Sequence, residues 1–155
     1  MRFAENTSTV QGILKDATGS AQESGTVDMT KYEHATVRIR TGVVATGADD
    51  MAVTLKQSTD SSKTSEKALG FDFMYVSTAA SSVPTKTAVT SDTFDVTGAD
   101  SAKLWEIEID AEELDVVNSF DHLHVELTSP GANSVLLGLE IIASQPRTAG
   151  KSSVG

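Results

Sequence analysis

The sequence of 155 residues contains no cysteine. This absence excludes disulfides, thiolate metal sites and thiol nucleophiles together. Basic residues are also scarce, since 12 lysines and arginines stand against 22 aspartates and glutamates, for a net charge of −10. Because phosphate binding depends on clustered basic side chains, this balance predicts a protein that binds neither nucleic acid nor an anionic membrane surface.

Long apolar runs are missing as well. No stretch approaches the ~20 apolar residues that a membrane-spanning helix needs. The first residues, MRFAENTSTVQGILKD, hold no apolar run of signal-peptide length. A soluble protein made in the cytoplasm is therefore expected.

What the sequence does contain is a series of short segments in which apolar and polar residues alternate. The alternation is clearest over 35–44, 51–58 and 104–110, and a period of two is typical of half-buried β-strands. Further segments at 70–77, 92–97, 120–128 and 134–144, with a weaker one at 26–30, complete the series. With about eight strands and uneven loops, the chain is predicted to be an all-β, antiparallel β-sandwich of jelly-roll-like type.

The same pattern divides the chain into three parts. Residues 1–24 show weak alternation and are expected to form an N-terminal arm or loosely packed leader. The β-sandwich domain is expected over 25–147, and a flexible tail over 148–155. Two polar stretches, 58–67 and 78–91, are predicted to be long loops.

The stretch SFDHLHVELTS (119–129) holds the strongest candidate for chemistry. His122, His124 and Glu126 share one face of the predicted strand, while Leu123 and Val125 share the other. Two imidazoles and a carboxylate on one face could bind a metal, although a cupin-like site would need a more distant carboxylate and a third histidine. A solvated strand face is the favoured interpretation, and a metal site at His122, His124 and Glu126 is the alternative.

Other candidates for chemistry are weaker still. FDVTGADS (94–101) places Asp95 and Asp100 around a glycine, but the spacing does not match a calcium-binding loop, and a β-turn is favoured. No nucleophile motif and no phosphate-binding glycine loop is present. Trp105 alternates with Ile107 and is expected in the core. The sequence therefore predicts no catalytic residue, no cofactor and no enzyme.

The last predicted strand, SVLLGLEIIAS (134–144), is apolar on both faces. Val135, Leu137 and Leu139 lie on one face, and Leu136 and Ile142 make the other largely apolar too. Burial on both sides is expected, either by a loop of the same chain or by a neighbouring subunit.

Residues 26–147 resemble small structural proteins encoded among the head genes of tailed bacteriophages. The resemblance is carried by TVDMTKYEHATVRIRTGVVATGADDMAVTLKQSTDSS and by the final hairpin, FDHLHVELTSPGANSVLLGLEIIASQPR, with Pro146 and Arg147 after its apolar strand. The segment LWEIEIDAEELDVVN departs from the pattern, since it is more acidic and carries an extra helical turn.

The resemblance implies a capsid decoration (cement or auxiliary head) protein of jelly-roll-like β-sandwich type. Such a protein would be a homo-oligomer, with a trimer favoured, on the exterior of the virion. It would bind the major capsid protein through the arm and one set of loop tips and so stabilise the phage head. The alternatives are another phage structural component, such as a head–tail or tail protein, a cupin-like metalloenzyme, which is the least favoured, and a carbohydrate- or surface-binding β-sandwich module. The last needs exposed aromatic residues, which make up only 5% of the chain.

Overall fold

The computed structural model describes residues 7–147, with side chains for 16–81 and 83–147. The predicted tail, 148–155, and the first six residues of the predicted arm lie outside this range. Over the described range, almost every regular element is a β-strand. None of the helices found there is long and apolar enough to cross a membrane.

Two short 3-10 helices interrupt the succession of strands. They are Ala111–Glu113 and Val116–Asn118. The strands, in chain order, are β1 (Thr7–Asp16), β2 (Gln22–Glu23), β3 (Val27–Asp28), β4 (Tyr32–Val44), β5 (Met51–Ser58), β6 (Lys67–Ala68), β7 (Phe73–Thr78), β8 (Ser81–Ala88), β9 (Thr93–Val96), β10 (Lys103–Asp110), β11 (His122–Leu127) and β12 (Val135–Pro146).

The strands form two antiparallel sheets that pack face to face. Sheet 1 has the order β1-β12-β4-β10-β7-β8. Sheet 2 has the order β2-β11-β5-β6, with β3 also paired to β11 and β9 also paired to β5. The short strands β2 and β3 therefore share one edge of sheet 2, and β6 and β9 share the other.

The strand pairs are nested from the two ends of the chain inward. β1 pairs with β12, β2 and β3 pair with β11, β4 pairs with β10, and β5 pairs with β9. A ribbon paired in this way and folded into two sheets is a jelly roll. The predicted fold class is therefore confirmed. The remaining strands, β6, β7 and β8, are inserted between β5 and β9 and extend both sheets.

Alternation along the long strands decides which side chains fill the space between the sheets. Fully burying one large apolar side chain contributes roughly 1.5–3 kcal/mol, so these rows are the main source of stability. From sheet 1 the rows are Val37, Ile39, Trp105, Ile107, Ile109, Leu137, Leu139 and Ile141, and from sheet 2 they are Met51, Val53, Leu55, Leu123, Val125 and Leu127.

Trp105 lies in this core, as predicted, and is 3% exposed. Its ring centroid lies 5.9 Å from that of Phe94, which in turn meets Phe71 edge-on at 6.3 Å. Because Trp105 is the single tryptophan of the chain, its fluorescence reports on the packing of the core.

Strand β7 turns a different face inward from the one that the aromatic residues suggest. Met74 and Val76 pack against the core, while Phe73 is 46% exposed and Tyr75 is half-buried on the outer face of sheet 1. Phe71 is buried, but it lies before the strand. Phe71, Phe73 and Tyr75, which alternate in the sequence, therefore do not share one face of a strand.

The prediction of a long loop over 78–91 is wrong, because Ser81–Ala88 forms β8, which pairs with β7. β8 is an edge strand, and most of its described side chains are exposed. A strand whose two faces are both exposed to solvent shows no alternation of apolar and polar residues. Pro84 and Lys86 are typical of edge strands that resist pairing with a further strand.

The segment 1–24, expected to be an arm, contributes to both sheets in its described part. Thr7–Asp16 pairs with β12 as β1, and Gln22–Glu23 pairs with β11 as β2. The register of β1 shifts between Gln11 and Ile13. Such a bulge breaks the period of two, which explains why the alternation in this segment is weak.

The second face of β12 is only partly covered. Leu136 is 49% exposed and Ile142 is half-buried, although β12 lies between β1 and β4 within sheet 1. Its apolar outer residues are therefore not buried by a loop of the described chain.

Candidate functional site: the His124 cluster on sheet 2

The outer face of β11 carries the three residues that the sequence analysis singled out. His122, His124 and Glu126 lie on the side opposite the buried Leu123 and Val125, as the period of two predicts. His124 is nevertheless 0% exposed. The centre of this strand face is therefore covered rather than solvated.

Three carboxylate side chains converge on His124. Glu23 of β2, Glu66 of the loop before β6, His124 and Glu126 each offer one ligand atom, and these atoms lie within 4.8 Å of one another. His122 is not a member of this group, since its Nδ1 lies 2.6 Å from the carboxylate of the preceding aspartate. The structure therefore brings together two of the three candidate metal ligands and adds two carboxylates. We call Glu23, Glu66, His124 and Glu126, with Lys56 and Lys63, the His124 cluster.

Two lysines occupy the space between the carboxylates. Lys56 Nζ lies 3.1 Å from Glu66 Oε1 and 3.0 Å from Glu126 Oε2. Lys63 Nζ pairs with Glu23. A divalent cation would have to displace the ammonium group of Lys56 to reach these oxygens. The geometry therefore favours an internal ion-pair network over a metal site.

Glu66 and Lys63 are held in place by the turns of their loop. Asp60 Oδ1 accepts hydrogen bonds from the main-chain N–H groups of Ser62 and Thr64, at 2.8 and 3.1 Å. Lys63 adopts a positive φ of 62°, and its Nζ donates to the carbonyl of Ser24 at 2.8 Å. The predicted loop 58–67 is therefore fastened across the outer face of sheet 2.

Neither Glu23 nor Glu66 could be found from local sequence. Glu23 reaches the cluster because β2 pairs with β11 in a register that sets it opposite Glu126. Glu66 reaches His124 because the loop folds back over β11. The sequence gives no signal for either contact, since alternation shows which face a residue occupies but not what covers that face.

Burial and the surrounding charges set the protonation of the cluster. Burial lowers the pKa of His124, against an opposing hydrogen bond from its Nε2 to Glu66 Oε2 at 3.2 Å. The hydrogen bond from Lys56 lowers the pKa of Glu66. Burial alone would lower the pKa of Lys56, but its hydrogen bonds to Glu126 and Glu66 raise it. At pH 7 the lowered pKa of Glu66 and the raised pKa of Lys56 keep this pair ionised, while the lowered pKa of His124 keeps its imidazole neutral.

The neutral imidazole predicts a loss of stability in mild acid. The folded protein keeps His124 unprotonated where the unfolded chain, with the ordinary pKa of ~6.5, already binds a proton. This contribution to stability is present above about pH 6.5 and is lost as the pH falls toward the lower pKa of the folded state. One proton changes the free energy of unfolding by at most about 1.4 kcal/mol per pH unit. Thermal melts followed by Trp105 fluorescence should show Tm falling by a few degrees between pH 7.5 and 5.5.

The matched control for this experiment is His124→Gln, which keeps a neutral donor for Glu66 but has no titration. Its Tm should change less over the same interval. The same slope in both proteins would contradict the assignment to His124. The carboxylate of Glu66 does not interfere, because its pKa lies below its ordinary value.

A second polar group lies on the outer face of sheet 1. His34 Nδ1 is 3.1 Å from Ser144 Oγ, and His34 Nε2 is 2.7 Å from Glu108 Oε2. These residue types form hydrolytic triads, but Ser144 lies inside β12 and is paired with Thr7 on one side and His34 on the other. Neighbouring main-chain N–H groups are therefore engaged in strand pairing, whereas an oxyanion hole needs free donors. The contacts of His34 with Ser144 and Glu108 therefore suit a structural role, in which they link neighbouring strands of sheet 1.

Asp100 lies in a β-turn, as the sequence analysis favours. Its main-chain N–H donates to the carbonyl of Thr97 at 2.9 Å, and its Oδ2 accepts from the N–H of Thr97 at 2.7 Å. Lys103 pairs with the other carboxylate oxygen. The carboxylate is therefore used within the turn, while Asp95 is exposed on β9.

No family model matches the sequence, and no curated protein matches it significantly. Among solved structures, the SPBc2 prophage-derived protein YomS is similar over 89% of this chain and 92% of its own, at 9% identity and a TM-score of 0.47. The coat protein of Tobacco streak virus is similar over 100% of this chain and 99% of its own, at 9% identity and a TM-score of 0.36.

A carbohydrate-active enzyme also appears among the similar structures. Clostridium thermocellum endo-1,4-β-D-xylanase 10B, complexed with xylohexaose, is matched over 97% of this chain but 27% of its own length, at 8% identity and a TM-score of 0.37. With TM-scores below 0.5, these likenesses assign the chain to no family.

Proposed function

We propose that this protein is a non-enzymatic virion structural protein, and specifically a decoration protein that binds the outside of the major capsid protein shell and stabilises the phage head. The observation that carries the proposal is the nested jelly roll, because all of its strands except β1 and β2 lie within 26–147, the range that resembles phage head proteins in sequence. Jelly rolls also serve lectins and cupins, so the fold alone does not distinguish these functions.

The state of the polar side chains supports a structural role. The carboxylates with the closest contacts are neutralised within the protein, as in the His124 cluster and in the row where Arg38 lies between Glu106 and Glu140. Carboxylates held in such ion pairs are already engaged within the protein, which suits a structural role more than a reactive one. A rigid β-body with an acidic surface suits a protein that must stay soluble and must not adhere to DNA.

The proposed assembly is a homo-oligomer, with a trimer favoured, on the capsid exterior. The partly exposed second face of β12, with Leu136 and Ile142, suits a contact between subunits. Sedimentation equilibrium at tens of micromolar measures this state directly. A strict monomer under these conditions, with no trimer on assembled shells either, would contradict the oligomeric part of the proposal.

The deciding experiment is co-sedimentation with phage shells that lack this protein. Saturable binding to the outside of the shell is expected, with a fixed ratio to the major capsid protein, together with a higher melting temperature of the shell. Shells that already carry the protein are the control and should bind no more. Absence of binding to every shell offered would overturn the decoration role.

A further inference from the structure

A cleft on the outer face of sheet 1 is lined by aromatic and acidic side chains. It lies beside the start of β7. Its walls include Asp72, Phe73, Tyr75, Lys86, Glu108 and Glu113. Phe73 and Tyr75 face outward there, and Phe73 is 46% exposed. With the buried Phe71, three carboxylates, three aromatic rings and a single lysine thus line this cleft.

The lysine occupies a specific position in the cleft. Lys86 Nζ lies 3.8 Å from the centroid of the Phe73 ring. An ammonium group over an aromatic face is held by the negative electrostatic potential of the ring. The cleft therefore binds a cation already, and that cation belongs to an exposed edge strand of the same chain.

Two of the carboxylates are fixed by contacts that use one oxygen each. Glu108 Oε2 accepts a hydrogen bond from Thr36 Oγ1 at 3.0 Å and lies 2.7 Å from His34 Nε2. Glu113 Oε2 accepts a hydrogen bond from the main-chain N–H of Asp110 at 2.6 Å. The two carboxylates are therefore held in place beside the rings before any ligand arrives, which lowers the entropic cost of binding.

We propose that this cleft binds a basic side chain, preferably arginine, from an exposed segment of a partner protein, and that this side chain replaces Lys86 over Phe73. Charge complementarity selects the occupant, because three carboxylates against one lysine leave the lining with excess negative charge. Arginine fits better than lysine, since a planar guanidinium can stack on an aromatic ring and also donate to a carboxylate. The inference goes beyond the proposed function and holds for any partner that presents such a segment.

A neutral sugar is the competing ligand for an aromatic cleft. It would stack on Phe73 only after Lys86 had moved away, and it would then leave the carboxylates without their cation. A basic side chain displaces Lys86 and restores the positive charge in the same step. The contacts therefore favour the cation.

The test uses the full chain and a short blocked peptide, acetyl-Gly-Arg-Gly-amide, titrated at fixed ionic strength and followed by the aromatic NMR signals of Phe73 and Tyr75. A matched peptide with citrulline in place of arginine keeps the shape and removes the charge. Saturable millimolar binding of the arginine peptide, at least about five-fold tighter than the citrulline peptide, is expected from a cation over an aromatic ring.

Variants of the chain complete the test. Phe73→Ala should weaken binding of the arginine peptide about five-fold, whereas Lys86→Ala should strengthen it by removing the internal competitor. Lys31→Ala, at an exposed lysine paired with Asp28, makes the same change in net charge and should have no such effect. Trp105 fluorescence verifies that each variant is folded.

Three results would overturn the proposal. They are equal binding of the arginine and citrulline peptides, binding of xylohexaose in place of the arginine peptide, and weaker or unchanged binding in Lys86→Ala. Each is separate from the capsid experiment, so the cleft can fail while the decoration role stands.

Discussion

Removal of residues 1–16 is expected to leave a protein that is insoluble or largely unfolded at 25 °C. The deletion takes away β1 and, with it, the nine residue pairs that β1 forms with β12. It turns β12, whose buried face holds Leu137, Leu139 and Ile141, into an open edge of sheet 1. Long apolar edge strands pair with other chains and aggregate. Soluble yield, circular dichroism and the melting temperature measure the effect.

Deletion of residues 1–6 is the matched control, because it shortens the same terminus and retains every described pair of β1 with β12. It should fold with a melting temperature close to that of the full chain. If the 1–16 deletion were equally soluble and equally stable, residues 7–16 would be a dispensable arm and not a strand of the jelly roll. The two deletions thus distinguish the sequence-based expectation from the strand that the structure shows.

Replacement of Leu123 by alanine is expected to cost about 2–5 kcal/mol of unfolding free energy, as measured by denaturant titration. Leu123 is 0% exposed and lies on the inner face of β11, between the two sheets. Truncation removes apolar contacts and leaves a cavity that a close-packed sandwich cannot fully close. In a domain of this size the melting temperature falls by about 2–4 °C for each kcal/mol.

Leu136→Ala is the matched control, since it makes the same chemical change at a side chain that is 49% exposed on the outer face of β12. Its cost should stay below about 1 kcal/mol, in keeping with surface substitutions. Similar losses for Leu123→Ala and Leu136→Ala in the monomeric state would mean that the inner and outer faces have been assigned incorrectly.

The alternation of apolar and polar residues predicted the strands well wherever a strand has one buried face and one solvent-exposed face. The rows around Val37, Val53 and Ile107 are examples, and all three side chains are fully buried. Alternation failed for β8, where both faces are exposed, and for β1, where the shift between Gln11 and Ile13 interrupts the period. In these strands the hydrogen-bonding partner, and not the local pattern of side chains, decides the structure.

The candidate site was predicted only in part, for a related physical reason. The period of two placed His124 and Glu126 together on the outer face of β11, which is where the structure has them. The burial of His124 depends on Glu66 and Lys56, which approach from a folded loop and from a neighbouring strand. Such contacts depend on strand register and loop geometry, which a single sequence does not reveal.

The nested pairing of the strands has a consequence for how the chain is made. Thr7, at the start of β1, pairs with Ser144, near the end of β12. During synthesis on the ribosome β1 therefore emerges long before its partner exists, and sheet 1 can be completed only after β12 has left the ribosome. Pairing over such a sequence distance is slow. A ribosome-bound chain that ends before β12 should therefore remain sensitive to protease along β1.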